Sequence, residues 1–192
     1  SSIAAIAMAA ALPAHAVRFD IGEVEGQFDS SISIGSSWAT ASPDKDFIWA
    51  NSGGNANAAN TDDNRLNFDK GDAFSTIFKG IHDLSLQYGS TGFFLRGKYW
   101  YDFELKDGHQ DLYDISDDNR KTAAKGSGVQ LLDAFLYHNY SIGDMPGSVR
   151  IGKQVLSWGE STFIQNGINS INPIDVAAFR RPGAEIKEGL IP

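Results

Sequence analysis

Residues 93–105 read Phe93-Phe94-Leu95-Arg96-Gly97-Lys98-Tyr99-Trp100-Tyr101-Asp102-Phe103-Glu104-Leu105. One parity holds Phe93, Leu95, Gly97, Tyr99, Tyr101, Phe103 and Leu105 and carries no charge. The other holds Phe94, Arg96, Lys98, Trp100, Asp102 and Glu104. A period of two marks a β-strand with one apolar and one polar face. Soluble strands run to roughly 5–6 residues, whereas a tilted strand that crosses a bilayer needs about 9–11. This run is long enough for the second role. A Lys or Arg turned toward lipid at mid-membrane costs roughly 2–4 kcal/mol, so Arg96 and Lys98 must face away from lipid, and their shared parity lets them. The stretch predicts one stave of an outer-membrane barrel.

Four further strands are predicted on the same grounds. The first covers 27–40, with Phe28, Ile32, Ile34 and Trp38 opposed by Asp29, Ser31, Ser33, Gly35 and Ser37. Residues 19–26 before it form an extension or a short separate strand. The second covers 74–88, with Phe78, Leu84, Leu86 and Tyr88 opposed by Lys79, Asp83, Ser85 and Gln87. His82 falls on its apolar parity. The fourth covers 129–140 and the fifth 148–158, both with less cleanly divided faces. Gly89-Ser90-Thr91-Gly92 and residues 141–147 are short turns, while 41–72, 107–128 and the segment after Trp158 are long and polar. Outer-membrane barrels alternate short periplasmic turns with longer extracellular loops in this way. A secreted β-sandwich shares the alternating faces but requires neither long strands nor strict alternation of loop length.

The ends agree with that reading. Residues 1–16 form an uncharged apolar run with Pro13 and an Ala14-His15-Ala16 ending, the form of a partial secretory signal peptide. The mature chain is expected to start at Val17, with 17–192 the N-terminal part of a single barrel domain truncated at its C-terminus. No other stretch approaches the 18 apolar residues of a membrane helix. Cysteine is absent and net charge is −8. Disulfide and thiolate chemistry are thereby excluded, and nucleic-acid binding, which wants a basic footprint, is disfavoured. Mean hydropathy of −0.25 suits a barrel, half of whose strand residues are polar.

After the fifth strand, Asn172-Pro173 with Asp175 predicts a short helix from Pro173 to about Phe179, ended by Arg180-Arg181-Pro182-Gly183. A loop of this kind either folds into the lumen and narrows it or lies over the rim. Candidate constriction residues are Trp158, Glu160, Asn169, Asn172, Asp175, Arg180 and Arg181. Candidate lumen-lining residues are Lys79, Asp83, Arg96, Lys98, Asp102 and Glu104, whose mixed signs suit cross-strand pairs or pore selectivity. Trp38, Phe94, Tyr99, Trp100 and Tyr101 are candidates for interfacial aromatic girdles, although Trp100 shares its parity with charges.

Several runs resemble the family catalogued as domain of unknown function 1302. They are Arg150-x-Gly152-Lys153-Gln154-x-x-x-Trp158-Gly159-Glu160-Ser161-Thr162-Phe163-Ile164, Asn166-Gly167-Ile168-Asn169, Ile171-Asn172-Pro173-x-Asp175 and Arg181-x-Gly183-Ala184-Glu185. Residues 67–72 and 97–102 are similar to its earlier motifs. The resemblance implies an exported Gram-negative protein several-fold longer than this chain and an outer-membrane barrel. It also implies a genomic setting beside a periplasmic carrier and an inner-membrane transporter, hence movement of hydrophobic compounds. It supplies no catalytic residues.

Catalysis finds little support. His82, His109 and His138 lie on an apolar parity, in a loop and beside a turn, and no Gly-x-Ser-x-Gly elbow surrounds Ser157 or Ser161. Acidic runs at 62–64, 69–72 and 114–118 lack EF-hand spacing, so no metal or cofactor is expected. The expected architecture is all-β, an antiparallel up-and-down transmembrane barrel with five or so strands here. The expected function is an outer-membrane channel or export protein for hydrophobic or small organic compounds, in contact with lipid and lipopolysaccharide. The alternative is a non-conducting surface barrel with an adhesive or structural role.

Overall fold

A computed structural model describes residues 5–11, 15–58, 61–109, 116–156, 171–176 and 178. Among them one antiparallel sheet of seven strands forms. The strands are β1 (Ala5–Ala11), β2 (His15–Ile21), β3 (Val24–Ala39), β4 (Ala73–Tyr88), β5 (Thr91–Asp102), β6 (Ser127–Ile142) and β7 (Met145–Lys153), with helix α1 (Phe103–Asp107) after β5. From β3 onward each strand pairs with the next in the chain, the up-and-down order expected. β2 and β1 share one edge of β3, β2 pairing with residues 24–30 and β1 with 33–39. Residues 19–26 therefore belong to the β2–β3 hairpin, and 5–11, read from sequence as part of a signal peptide, take a strand position here. Among the described residues the sheet is not closed on itself. No described helix is long and apolar enough to cross a membrane.

Two strand ends and one register differ from the sequence reading, each for a local reason. β5 stops at Asp102 rather than Leu105, because the Asp102 carboxylate accepts from the amides of Glu104 and Leu105 and caps α1. β6 carries a bulge. Arg96 pairs with Asp133 but Gly97 with Leu131, leaving Leu132 as an extra residue. The bulge reverses parity along β6, which is why its two faces looked mixed. β7 ends at Lys153 rather than Trp158. Val155 N donates to Asp133 Oδ1 and Leu156 N to Asn172 Oδ1, so these amides turn away from the ladder.

β3, β4 and β6 are each 16 residues long, or about 53 Å at a strand's rise per residue. Their two faces invert the soluble pattern. Val129 is 77% and Ile151 70% exposed, whereas Lys79, Lys98 and Asp102 are 4%, 3% and 2% exposed. The apolar parity of the sheet thus faces outward and the charged parity is covered, with Ile77, Ile81, Trp100 and Leu132 buried beside the charges. On the outer face the ring of His82 stacks between Phe28 and Tyr99, at 5.6 and 5.5 Å. It shares a 2.7 Å hydrogen bond with Ser30 Oγ, which explains a histidine on the apolar parity. Rings also cover cross-strand glycines. A Cβ at Gly80 would lie 2.4 Å from the ring of its partner Tyr99. Such pairs fill the pleat where a side chain is missing.

The loop 41–72 is built from short 3-10 turns at Lys45–Phe47, Ala50–Ser52 and Asp63–Asn67. Asp63 ties them together, its carboxylate accepting from Thr61 Oγ1, Ser52 Oγ and Trp49 N at 2.6, 2.7 and 3.0 Å. The described residues of this connection are thus held to one another through a single carboxylate.

Candidate functional site

Five of the six lumen candidates share the covered face. Lys79 and Asp83 stand on β4, and Arg96, Lys98 and Asp102 on β5, with Asp83 directly across from Arg96. The Arg96 guanidinium donates through Nε and Nη2 to the two Asp83 oxygens, both at 2.8 Å, a planar two-bond fork. Its Nη1 lies 3.6 Å from Asp133 on β6, so one cation links carboxylates on both neighbouring strands. Lys98 Nζ sits 5.2 Å over the Trp100 ring, and Trp100 Nε1 donates to the Lys125 carbonyl at 2.9 Å.

Asp102 does a different job. One carboxylate oxygen accepts from Ser75 Oγ at 2.5 Å, and the other from the amides of Thr76, Glu104 and Leu105. It fastens β4 to β5 and starts α1. Glu104 stands in α1 rather than on the strand face. Its burial, and then the charges of Asp102 and Asp72, push its carboxyl above the usual range.

Towards the turns the same face becomes aromatic. Phe94 and Phe135 pair across strands with ring centroids 5.3 Å apart, and Tyr137 follows at 6.4 Å. Arg96 covers Phe94 at 5.1 Å and Arg150, on β7, covers Phe135 at 5.5 Å. Asp133, Phe135, Tyr137 and Arg150 were not singled out as lumen residues from sequence. The bulge at Leu132 hides the first three by shifting their parity, and Arg150 stood out only within a motif. Of the girdle candidates, Phe94 and Trp100 lie on the same face as the charges, while Tyr99 and Tyr101 alternate with them on the other.

Among the constriction candidates, Asn172 is buried and clamps the backbone of Leu156 through both atoms of its amide. The Asp175 carboxylate accepts from Ala178 N at 3.2 Å, so the helical residues 176 and 178 begin after Asp175, not after Asn172 as expected. Trp158, Glu160, Asn169, Arg180 and Arg181 lie outside the described residues. Among the described residues no three His, Cys, Asp or Glu side chains are grouped to hold a metal ion.

The sequence pattern of the family described as protein of unknown function (DUF1302) matches residues 1–192. The chain belongs to this family. No curated protein and no solved structure matches it. Three of the family-like motif positions described here have visible roles in this DUF1302 chain. Arg150 lies over the Phe135 ring. Asn172 holds Leu156, and Gly152 adopts φ +138 directly across from Phe135.

Proposed function

We propose that β3 to β7 form part of the wall of an outer-membrane β-barrel, exported by way of residues 1–16 as a cleaved signal peptide, which passes hydrophobic or small organic compounds by passive conduction. The observation that carries this reading is the inverted amphipathy of strands about 53 Å long. Apolar side chains are exposed on one face and charges covered on the other. In water such a surface is a liability, but a strand tilted in lipid needs it. Strand stagger supports closure: His138 pairs with Thr91, so residues 139–142 of β6 run past the β4–β5 turn. A closed barrel requires register offsets of this kind. The inner aromatic rows suit an organic solute better than a hydrated ion. A periplasmic carrier and an inner-membrane transporter are the partners such a conduit needs, and it has no call for catalysis.

One observation favours the alternative of a non-conducting barrel. The Asp83–Arg96–Asp133 bridge spends its charges on the wall itself. Planar-bilayer recording of the intact protein, with and without residues 160–185, separates the two. Discrete conductance that rises on deletion supports a pore narrowed by that segment. Stable insertion with no conductance in either form contradicts the conduit and favours a structural or adhesive barrel.

A further inference from the structure

We infer that the inner face carries a binding strip for organic monoanions with an aromatic or alkyl body, built from Phe94, Phe135, Tyr137 and Arg150. The inference rests on the conduit reading in one respect, that this face borders the lumen. Register alone assembles the strip. Phe94 faces Phe135, Tyr137 faces both Gly92 and Arg150, and Arg150 covers Phe135 at 5.5 Å. Gly92 makes room for the tyrosine, since a Cβ there would sit 2.2 Å from its ring.

The two arginines over this strip are in different states. Arg96 is spoken for by Asp83 and Asp133. Arg150 is exposed and meets no carboxylate among the described residues. A guanidinium resting on a ring keeps its plane fixed while its edge N–H groups stay open to a two-bond carboxylate contact. The neighbouring rings then take the apolar body of the same molecule. A neutral analogue gains only the ring contacts, and a cation is repelled.

The test uses the intact protein in detergent, with 1-naphthoate and neutral 1-naphthamide as probes in titration calorimetry, and heat-modifiable gel mobility as the check on folding. The acid binds about tenfold or more tightly than the amide, the ratio expected for one charge-assisted contact. Arg150→Gln removes the preference, and Arg150→Lys, with charge but no fork, leaves an intermediate one. Phe135→Leu weakens both probes. Equal binding of the two, no binding of either, or a preference that survives Arg150→Gln overturns the strip. Should Arg150→Gln not fold, the wild-type ratio and its change in Arg150→Lys decide. Calorimetry needs no ion flow, so the two readings fail separately. Discrimination in a barrel that does not conduct keeps the strip and removes the conduit. Conductance without discrimination removes the strip alone.

Discussion

Arg96 shows how the charges of the covered face hold together with little solvent. Its fork engages both Asp83 oxygens and its third nitrogen approaches Asp133, so removing it takes the cation away from two largely covered carboxylates. Arg96→Met is expected to lower stability by about 1–3 kcal/mol. Adding Asp83→Asn to that variant should restore part of the loss, as read from urea unfolding of protein refolded into bilayers. The glycines make a sharper comparison. At Gly152 an added Cβ would meet the Ala134 carbonyl at 2.3 Å, with φ at +138, so the backbone itself must move. At Gly80 the obstacle is the far end of the Tyr99 side chain, which can shift at the expense of its stacking on His82 without moving backbone. Gly152→Ala should therefore destabilise more than Gly80→Ala in the same titration, and the opposite order would contradict the register of β6 and β7. Of these residues, Arg96 and Asp83 were legible because period two holds through β4 and β5. Asp133 was not, because one extra residue at Leu132 reverses the parity that sequence reading depends on.

Among the elements, the long strands and short turns were readable from alternation and glycine placement, and their ends were not. Asp102 and Glu104 continue the strand's alternation, yet a carboxylate that caps two amides turns the chain into α1. Nothing in period two signals that competition. The loop 41–72 read as a long polar connection with acidic runs at 62–64 and 69–72, and Asp63 of the first run organises its turns from within. Hydrogen bonds from Thr61, from Trp49 N and from Ser52 outweigh a small opposing effect of burial and hold its carboxyl below the ordinary 3.8. A carboxyl lowered on folding stabilises the folded loop fully above its unfolded value and loses that contribution as pH falls through the lower folded value. Hydrogen exchange at the amide of Trp49 should accordingly accelerate only below about pH 3.8, while amides within β4 stay protected. Asp63→Ala should bring the same local acceleration at neutral pH. Equal protection of the loop in wild type and Asp63→Ala would show that the turns hold without it.

At the scale of the whole molecule, the all-β antiparallel sheet and its up-and-down order followed from the sequence. The strand count did not, because β1 lies in a segment whose composition reads as a signal peptide, and β2 overlaps residues that read as either an extension of the next strand or a short separate one. The central claim is that the apolar parity faces lipid and the charged parity faces an aqueous or solute-filled interior. The chain contains no cysteine, so single-cysteine variants carry spin labels at chosen positions without interference. Labels along β6 and β7 in the intact, membrane-reconstituted protein test the claim most directly, through collision with lipid-soluble oxygen and with a water-soluble nickel chelate. Oxygen contact is predicted to dominate at Val129, Leu131, Ala134, Leu136, Val149 and Ile151, and nickel contact at Gln130, Tyr137 and Ser148, with the alternation changing phase at the Leu132 bulge. Uniform exposure to nickel on both parities, or an alternation with the charged parity in lipid, would contradict the membrane wall.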